Sequence, residues 1–200
     1  MEIHNTNIPA DEKPPEFDIK PKPAEEYEVR VCIFDTLDMI CADAEGTSDA
    51  YVRAFFDTSE DVKETDTHFR CQNGKASWNY RMVFRTKYPR KDYNLTLQLY
   101  DRDFFKSNDI IGESQLNLTA AFEDASLTKR QLNINKFYFE NYMKKQYNYN
   151  YKFKDDSTFY IPMKGNDEKT GKLVDNALLR VQVDIVPISV ADQNKVGPAR

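Results

Sequence analysis

The chain has 200 residues, with 28 Lys and Arg against 33 Asp and Glu and a formal net charge of −5. That length fits one domain, or one domain carrying an insertion, and the acidic balance argues against nucleic acid as the main partner. With 13 Phe, 12 Tyr and 1 Trp the chain can fill a core, while 6 Gly and 9 Pro exclude collagen-like and low-complexity classes.

No apolar run is long enough to span a membrane, and Met1 to Pro9 lacks the apolar stretch of a signal peptide. The expectation is a soluble cytoplasmic protein, not secreted and without a transmembrane segment. Cys32, Cys41 and Cys71 are odd in number and show no C-x-x-C spacing, which speaks against a disulfide framework or a zinc ribbon. Cys41 with His68 is a conceivable nucleophile pair, but a free thiol more often packs as a small hydrophobe. No nucleophile, base and oxyanion set can be assembled, so no enzyme is expected. Gly165 to Leu173 has the flavour of a phosphate loop. It carries one residue too many between its glycines, and Leu173 stands where a hydroxyl should hold magnesium. A charged hairpin turn explains that stretch better.

In chain order, residues 1–26 come first and hold five of the prolines (Pro9, Pro14, Pro15, Pro21, Pro23) among Glu, Lys and Asp. Such a segment buries too little apolar area to repay its ordering entropy, so it reads as an extended tail and a candidate protein-binding arm. From Tyr27 the pattern becomes period two: Val29, Val31 and Ile33 alternate with Glu28, Arg30 and Cys32. The same alternation recurs over Tyr51–Phe56, His68–Cys71, Trp78–Phe84, Leu95–Leu99, Ile110–Leu118, Thr158–Met163 and Leu178–Val186. Turn signals at 45–48, 72–74 and Pro89 separate these runs. About eight strands predict an all-β antiparallel sandwich over residues 27–190, followed by a tail at 191–200.

One region breaks the rhythm, a partly helical insertion around 119–155. Lys129–Lys145 is charged at both ends and predicts a helix with Leu132, Phe139, Tyr142 and Met143 on one face. Ten aromatics fall between Phe137 and Tyr160, among them Tyr147, Tyr149 and Tyr151 at period two. They either pack on the sandwich or meet a protein partner.

Two acidic segments carry the chemistry. Asp43-Ala44-Glu45-Gly46-Thr47-Ser48-Asp49-Ala50-Tyr51-Val52 is a loop feeding a strand. Asp101-Arg102-Asp103-Phe104-Phe105-Lys106-Ser107-Asn108-Asp109 runs from a strand end through a loop into the next strand. Asp101 and Asp103, two apart, face one side of an extended backbone. Taken singly, each Asp reads as a solvated turn residue. If Asp43 and Asp49 lie at the same end, five carboxylates converge, and calcium, with six to eight loosely arranged oxygen ligands, suits them better than magnesium.

D-x-x-G-T-S-D-A-Y-V resembles the first calcium-binding loop of C2 domains, and Y-D-R-D-F-F-K-S-N-D-I-I-G-E resembles the third. The departure is Ala50, where proline is common; it removes rigidity but no ligand. A finer resemblance is to the later C2 domains of ferlins. It rests on Tyr27-Glu28-Val29-Arg30-Val31, on Thr65-Asp66-Thr67-His68-Phe69-Arg70, on Trp78-Asn79-Tyr80-Arg81-Met82-Val83-Phe84 and on the closing Val196-Gly197-Pro198-Ala199-Arg200.

The resemblance implies an eight-stranded antiparallel β-sandwich with calcium loops at one end and phospholipid binding there. It implies Ca²⁺ ligands at Asp43, Asp49, Asp101, Asp103 and Asp109. The first expectation is therefore a calcium-dependent module for anionic phospholipid membranes, with Phe104 and Phe105 at the third-loop tip as membrane contacts. Phe104 also reads as a lid over the sheet end. The second expectation is a structural adaptor in a cytoskeletal or ciliary assembly, held through the N-terminal tail and through Tyr147, Tyr149 and Tyr151. Peripheral membrane attachment or a cytoskeletal location follows from one reading or the other.

Overall fold

The computed structural model describes residues 23–41, 46–56, 61–103, 107–140, 155–167 and 170–198. Ten strands occur among them: β1 (Glu25–Leu37), β2 (Ser48–Phe56), β3 (Val62–Glu64), β4 (His68–Cys71), β5 (Ser77–Tyr88), β6 (Asn94–Asp101), β7 (Asp109–Asn117), β8 (Leu132–Asn133), β9 (Phe159–Asn166) and β10 (Leu173–Pro187). Helices are α1 (Thr119–Thr128), α2 (Lys136–Tyr138) and α3 (Ile188–Ala191). None is long and apolar enough to cross a membrane.

Eight strands pair in the order β3-β2-β6-β7-β9-β10-β1-β5, with β4 beside β2 and β8 beside β10. The pairings are antiparallel, and β7 meets β9 through Glu113↔Lys164 alone. That narrow join divides the path into two four-stranded layers, the expected sandwich. The layers face each other: the rings of Phe56 on β2 and Phe84 on β5 lie 6.5 Å apart, and Trp78 Nε1 on β5 donates to the Ala50 carbonyl on β2 at 3.3 Å.

Period-two patterning explains the core. Val29, Val31 and Ile33 of β1, Leu95, Leu97 and Leu99 of β6, and Val181, Val183 and Ile185 of β10 are wholly buried between the layers. Phe122 of α1 closes one end, its ring 4.2 Å from Tyr93, 5.7 Å from Tyr27 and 6.0 Å from Phe56. The opposite end, where β1, β6 and β9 finish and β2, β5, β7 and β10 begin, is therefore left to loops.

The outward residues of β1 are not solvated as alternation alone suggests. Glu28 and Arg30 are buried, because the segment from α3 onward folds back over them and the Arg30 guanidinium donates to the Asn194 carbonyl at 3.0 Å.

The predicted helix at 129–145 is a correction. Lys129 has φ 54° and donates its N–H to the Ala125 carbonyl, so it ends α1 rather than starting a new helix. Leu132 and Asn133 pair with Ile185 and Asp184 of β10, and the Ile134 N–H bonds the Val183 carbonyl. Adding to an existing ladder while burying Ile134 outweighs local helix propensity here. Helix follows from α2, capped by the Asn135 side chain accepting from Tyr138 N at 2.9 Å, and residues 139–140 remain helical. The remainder of that helix, from residue 141, lies outside the described residues.

Candidate metal and membrane site

The acids are placed by strand register at the loop end. Ala50 of β2 is paired with Asp101 of β6, and Asp101 in turn with Asp109 of β7, so three adjoining strand ends bring Asp49, Asp101 and Asp109 to one edge. Asp101 is the inner member, 3% exposed, and its Oδ1 accepts from Asp49 N at 2.6 Å. Asp49 is half-buried and its Oδ1 accepts from Arg70 N at 2.7 Å. Asp103 is half-buried and Asp109 exposed. Asp43, Phe104 and Phe105 lie outside the described residues, as do Tyr147, Tyr149 and Tyr151. Among the described residues, no three Asp, Glu, His or Cys side chains form a group ready to hold one ion.

The basic residue inside the cluster is directed elsewhere. Arg102, between Asp101 and Asp103, turns to the other side of the strand. Its guanidinium lies 3.7 Å from Glu64 and 4.5 Å from the centre of the Tyr51 ring. The negative field reaches Cys71: burial pushes its thiol pKa up, and the Asp49 and Asp101 charges add to the rise. Cys71 is a buried thiol whose Sγ donates to the His68 carbonyl at 3.0 Å. Cys71 thus packs as a small hydrophobe, while Cys41, the thiol considered with His68 above, is half-buried and its Sγ donates to the Cys71 carbonyl at 4.0 Å.

Several supporting residues escaped the sequence reading. Asn108 links the third loop to β2: its Nδ2 donates to Tyr51 Oη at 2.9 Å, and its Oδ1 accepts from Asp103 N at 3.1 Å. Tyr51 also stacks on Tyr100, centroids 5.4 Å apart, which fixes the hydroxyl that Asn108 reaches. Asn176 of β10 is buried; its side chain donates to the Ile111 carbonyl at 2.8 Å, and its own carbonyl accepts from Ile40 N at 2.9 Å. It thereby ties the β1–β2 loop and the start of β7 to β10. Gly74, at φ 68°, supports the first loop from below: its carbonyl accepts from Met39 N, and a Cβ would stand 2.7 Å from the Met39 backbone.

The family model for the C2 domain matches residues 27–134. The chain belongs to the C2 domain family. Ferlins are among the relatives of this C2 domain, in line with the motifs noted above. It is 32% identical over 146 residues to Fer-1-like protein 4 of Mus musculus, covering 59% of this chain and 7% of that one. To Ferlin 2 of Tetrahymena thermophila it is 35% identical over 118 residues, covering 55% and 7%. To myoferlin of Mus musculus it is 30% identical over 131 residues, covering 52% and 6%. The chain thus spans only 6–7% of the length of these relatives.

Among solved structures, human GIVD cytosolic phospholipase A2 in complex with methyl gamma-linolenyl fluorophosphonate superposes with a TM-score of 0.51 at 13% identity, over 82% of this chain and 18% of that one. The tandem C2 domains of Extended-Synaptotagmin 2 give 0.50 at 16% identity, over 86% and 45%. At such identities these likenesses concern the fold alone.

Proposed function

We propose that the chain is a calcium-dependent phospholipid-binding module, a binding domain rather than an enzyme. The observation that carries this reading is the convergence of Asp49, Asp101 and Asp109 on three paired strand ends, with Arg102 turned away from them.

The donor set fits a hard divalent cation, because it offers carboxylate oxygens and no soft ligand is needed. Asp49, Asp101, Asp103 and Asp109, with Asp43, would hold calcium, which supplies a positive centre for lipid phosphate oxygens when bound. The chain's own residues do the positioning. The Asp49 N–H fixes the Asp101 carboxylate, the Arg70 N–H fixes that of Asp49, and Asn108 holds the backbone beside Asp103. Bound divalent charge offsets the net charge of −5 and favours an anionic membrane over repulsion from it. Vesicle pelleting with calcium or with a chelator tests this: binding in calcium that vanishes in chelator supports the reading, and equal binding in both removes it.

A second reading, the protein-bound adaptor, is favoured by Leu127 and Phe137, which the insertion exposes at 81% and 71%. Substituting them by Asp would release an adaptor from its assembly and leave vesicle binding unchanged.

A further inference from the structure

Seven large apolar side chains are exposed among the described residues, and five of them belong to the acidic end. Ile40 follows β1 and is bonded to the start of β10; Phe69 lies on β4, which pairs with the first residues of β2; Ile110 follows Asp109. The other two, Leu173 and Val174, are 64% and 39% exposed and open β10, outside the acidic loops altogether.

The hairpin they start reaches well past its neighbour. Leu173 pairs with Asn166, whereas Leu178, opposite Leu37 at the end of β1, pairs with Pro162. Four residues of β9 separate these levels, roughly 13 Å of projection beyond β1. Measured instead from the Glu113↔Lys164 pair, Asn166 lies two residues and Asp109 four residues toward the same end. The pair closing the hairpin turn and Asp109 thus differ in height by roughly 7 Å.

Consecutive strand residues point to opposite faces, yet Leu173 and Val174 are both exposed. Beyond its seat on β7, the start of the strand is therefore open to solvent on both faces. A protein docking against one face of the hairpin would cover one of these side chains; a medium that surrounds the hairpin covers both. Lys172, also exposed, precedes them; it shares the hairpin with Asp167 and Asp175, and exposed Arg70 and Lys75 add positive charge at the same end. The turn is closed by Asp167, whose Oδ1 accepts from Thr170 N and Thr170 Oγ1, both at 2.7 Å, and whose N–H bonds the Lys172 carbonyl at 2.8 Å. At its base Asn176 and Gly165 seat it on β7, where a Gly165 Cβ would lie 2.4 Å from both Asn176 Nδ2 and the Ile111 carbonyl.

We propose that the β9–β10 hairpin is a second membrane-contacting element, with Leu173 and Val174 entering an anionic bilayer and Lys172 meeting its headgroups. This rests on the membrane-binding reading above and adds to it a contact made without the aspartates.

The test uses the full chain, mixed phosphatidylcholine–phosphatidylserine vesicles, and calcium throughout, comparing wild type with Leu173→Ala, Lys172→Glu and the double variant Asp101→Asn with Asp103→Asn. Leu173→Ala is expected to weaken vesicle partitioning about tenfold, and Lys172→Glu to weaken it more at low salt than at high salt. Both should keep the wild-type melting temperature and its calcium-induced shift. Wild-type partitioning in both hairpin variants, with loss only in the aspartate variant, overturns the hairpin contact and leaves the membrane reading standing. Absence of vesicle binding by the wild type overturns both. Loss of self-association in the hairpin variants with vesicle binding intact assigns the hairpin to protein contact and overturns the lipid proposal.

Discussion

The backbone N–H of Asp49 donates to the Asp101 carboxylate at 2.6 Å, joining residues 52 positions apart across the β2–β6 ladder. One acid is thus oriented by the main chain of another, and the pair keeps its place only while the two strands hold register. Calcium binding to such a pair should be read out as stability of the whole domain. Native-state binding adds about 2.7 kcal/mol at one hundred times Kd, which for a chain of this size raises Tm by roughly 5–10 °C. Thermal melts in calcium and in chelator measure it, and Asp101→Asn with Asp103→Asn should bring the two curves together. In chelator the double variant should melt no lower than wild type. The side-chain amide oxygen introduced by Asp101→Asn still accepts from Asp49 N, while mutual carboxylate repulsion is reduced.

Asn108 bridges Tyr51 Oη and Asp103 N from an exposed position. Asn108→Ala should leave stability in chelator within about 1 kcal/mol of wild type while weakening calcium binding several-fold, since two loop-ordering hydrogen bonds are lost. Thermal melts and titration calorimetry separate the two effects. Unchanged calcium affinity would remove Asn108 from the site.

Gly165 is set against Asn176 and the Ile111 carbonyl with no room for a methyl group. Gly165→Ala should cost about 1–3 kcal/mol in urea denaturation, the usual penalty for overpacking a site that cannot yield. Gly171, with nothing within 4 Å of its added Cβ but a φ of 66°, serves as the comparison. Alanine there should cost roughly 1 kcal/mol, through backbone strain alone.

Burial raises the thiol pKa values of Cys32 and Cys71 above their ordinary 9.0. On raising the pH, unfolded thiols ionise first while the folded ones stay protonated, so the unfolded state binds fewer protons and stability falls. The contribution is intact below pH 9 and is lost as pH rises from there through the folded values. Melts from neutral to alkaline pH should show this decline, and Cys32→Ala should flatten it. A melting temperature that rises across that range would contradict the assignment.

Eight strands are legible in the sequence because alternation is a local property: Leu95, Leu97 and Leu99 announce β6 without reference to anything else. β3 and β8, three and two residues long, carry too little pattern to be read. The helix expected over 129–145 is replaced over 129–135 because Leu132 and Ile134 obey a tertiary ladder with β10, and nothing local reveals that partner. At the candidate site, residue type and spacing single out Asp49, Asp101, Asp103 and Asp109, and strand register brings Asp49, Asp101 and Asp109 to one edge. Asn108–Tyr51 and Asn176–Ile111 are not, since each contact spans more than fifty residues and depends on how distant strands come into register. The exposure of Leu173 is hidden for a related reason. Its hairpin is visible in the sequence, but how far that hairpin projects beyond its neighbours follows from pairings along β1 and β7.

The most direct measurement of the central claim is co-sedimentation of the full chain with phosphatidylcholine–phosphatidylserine vesicles, in calcium and then in excess chelator. The account predicts that wild type pellets with the vesicles in calcium, returns to the supernatant in chelator, and fails to pellet in either condition when Asp101→Asn and Asp103→Asn are combined. Vesicle binding by that double variant equal to wild type, or wild-type binding indifferent to calcium, would contradict it.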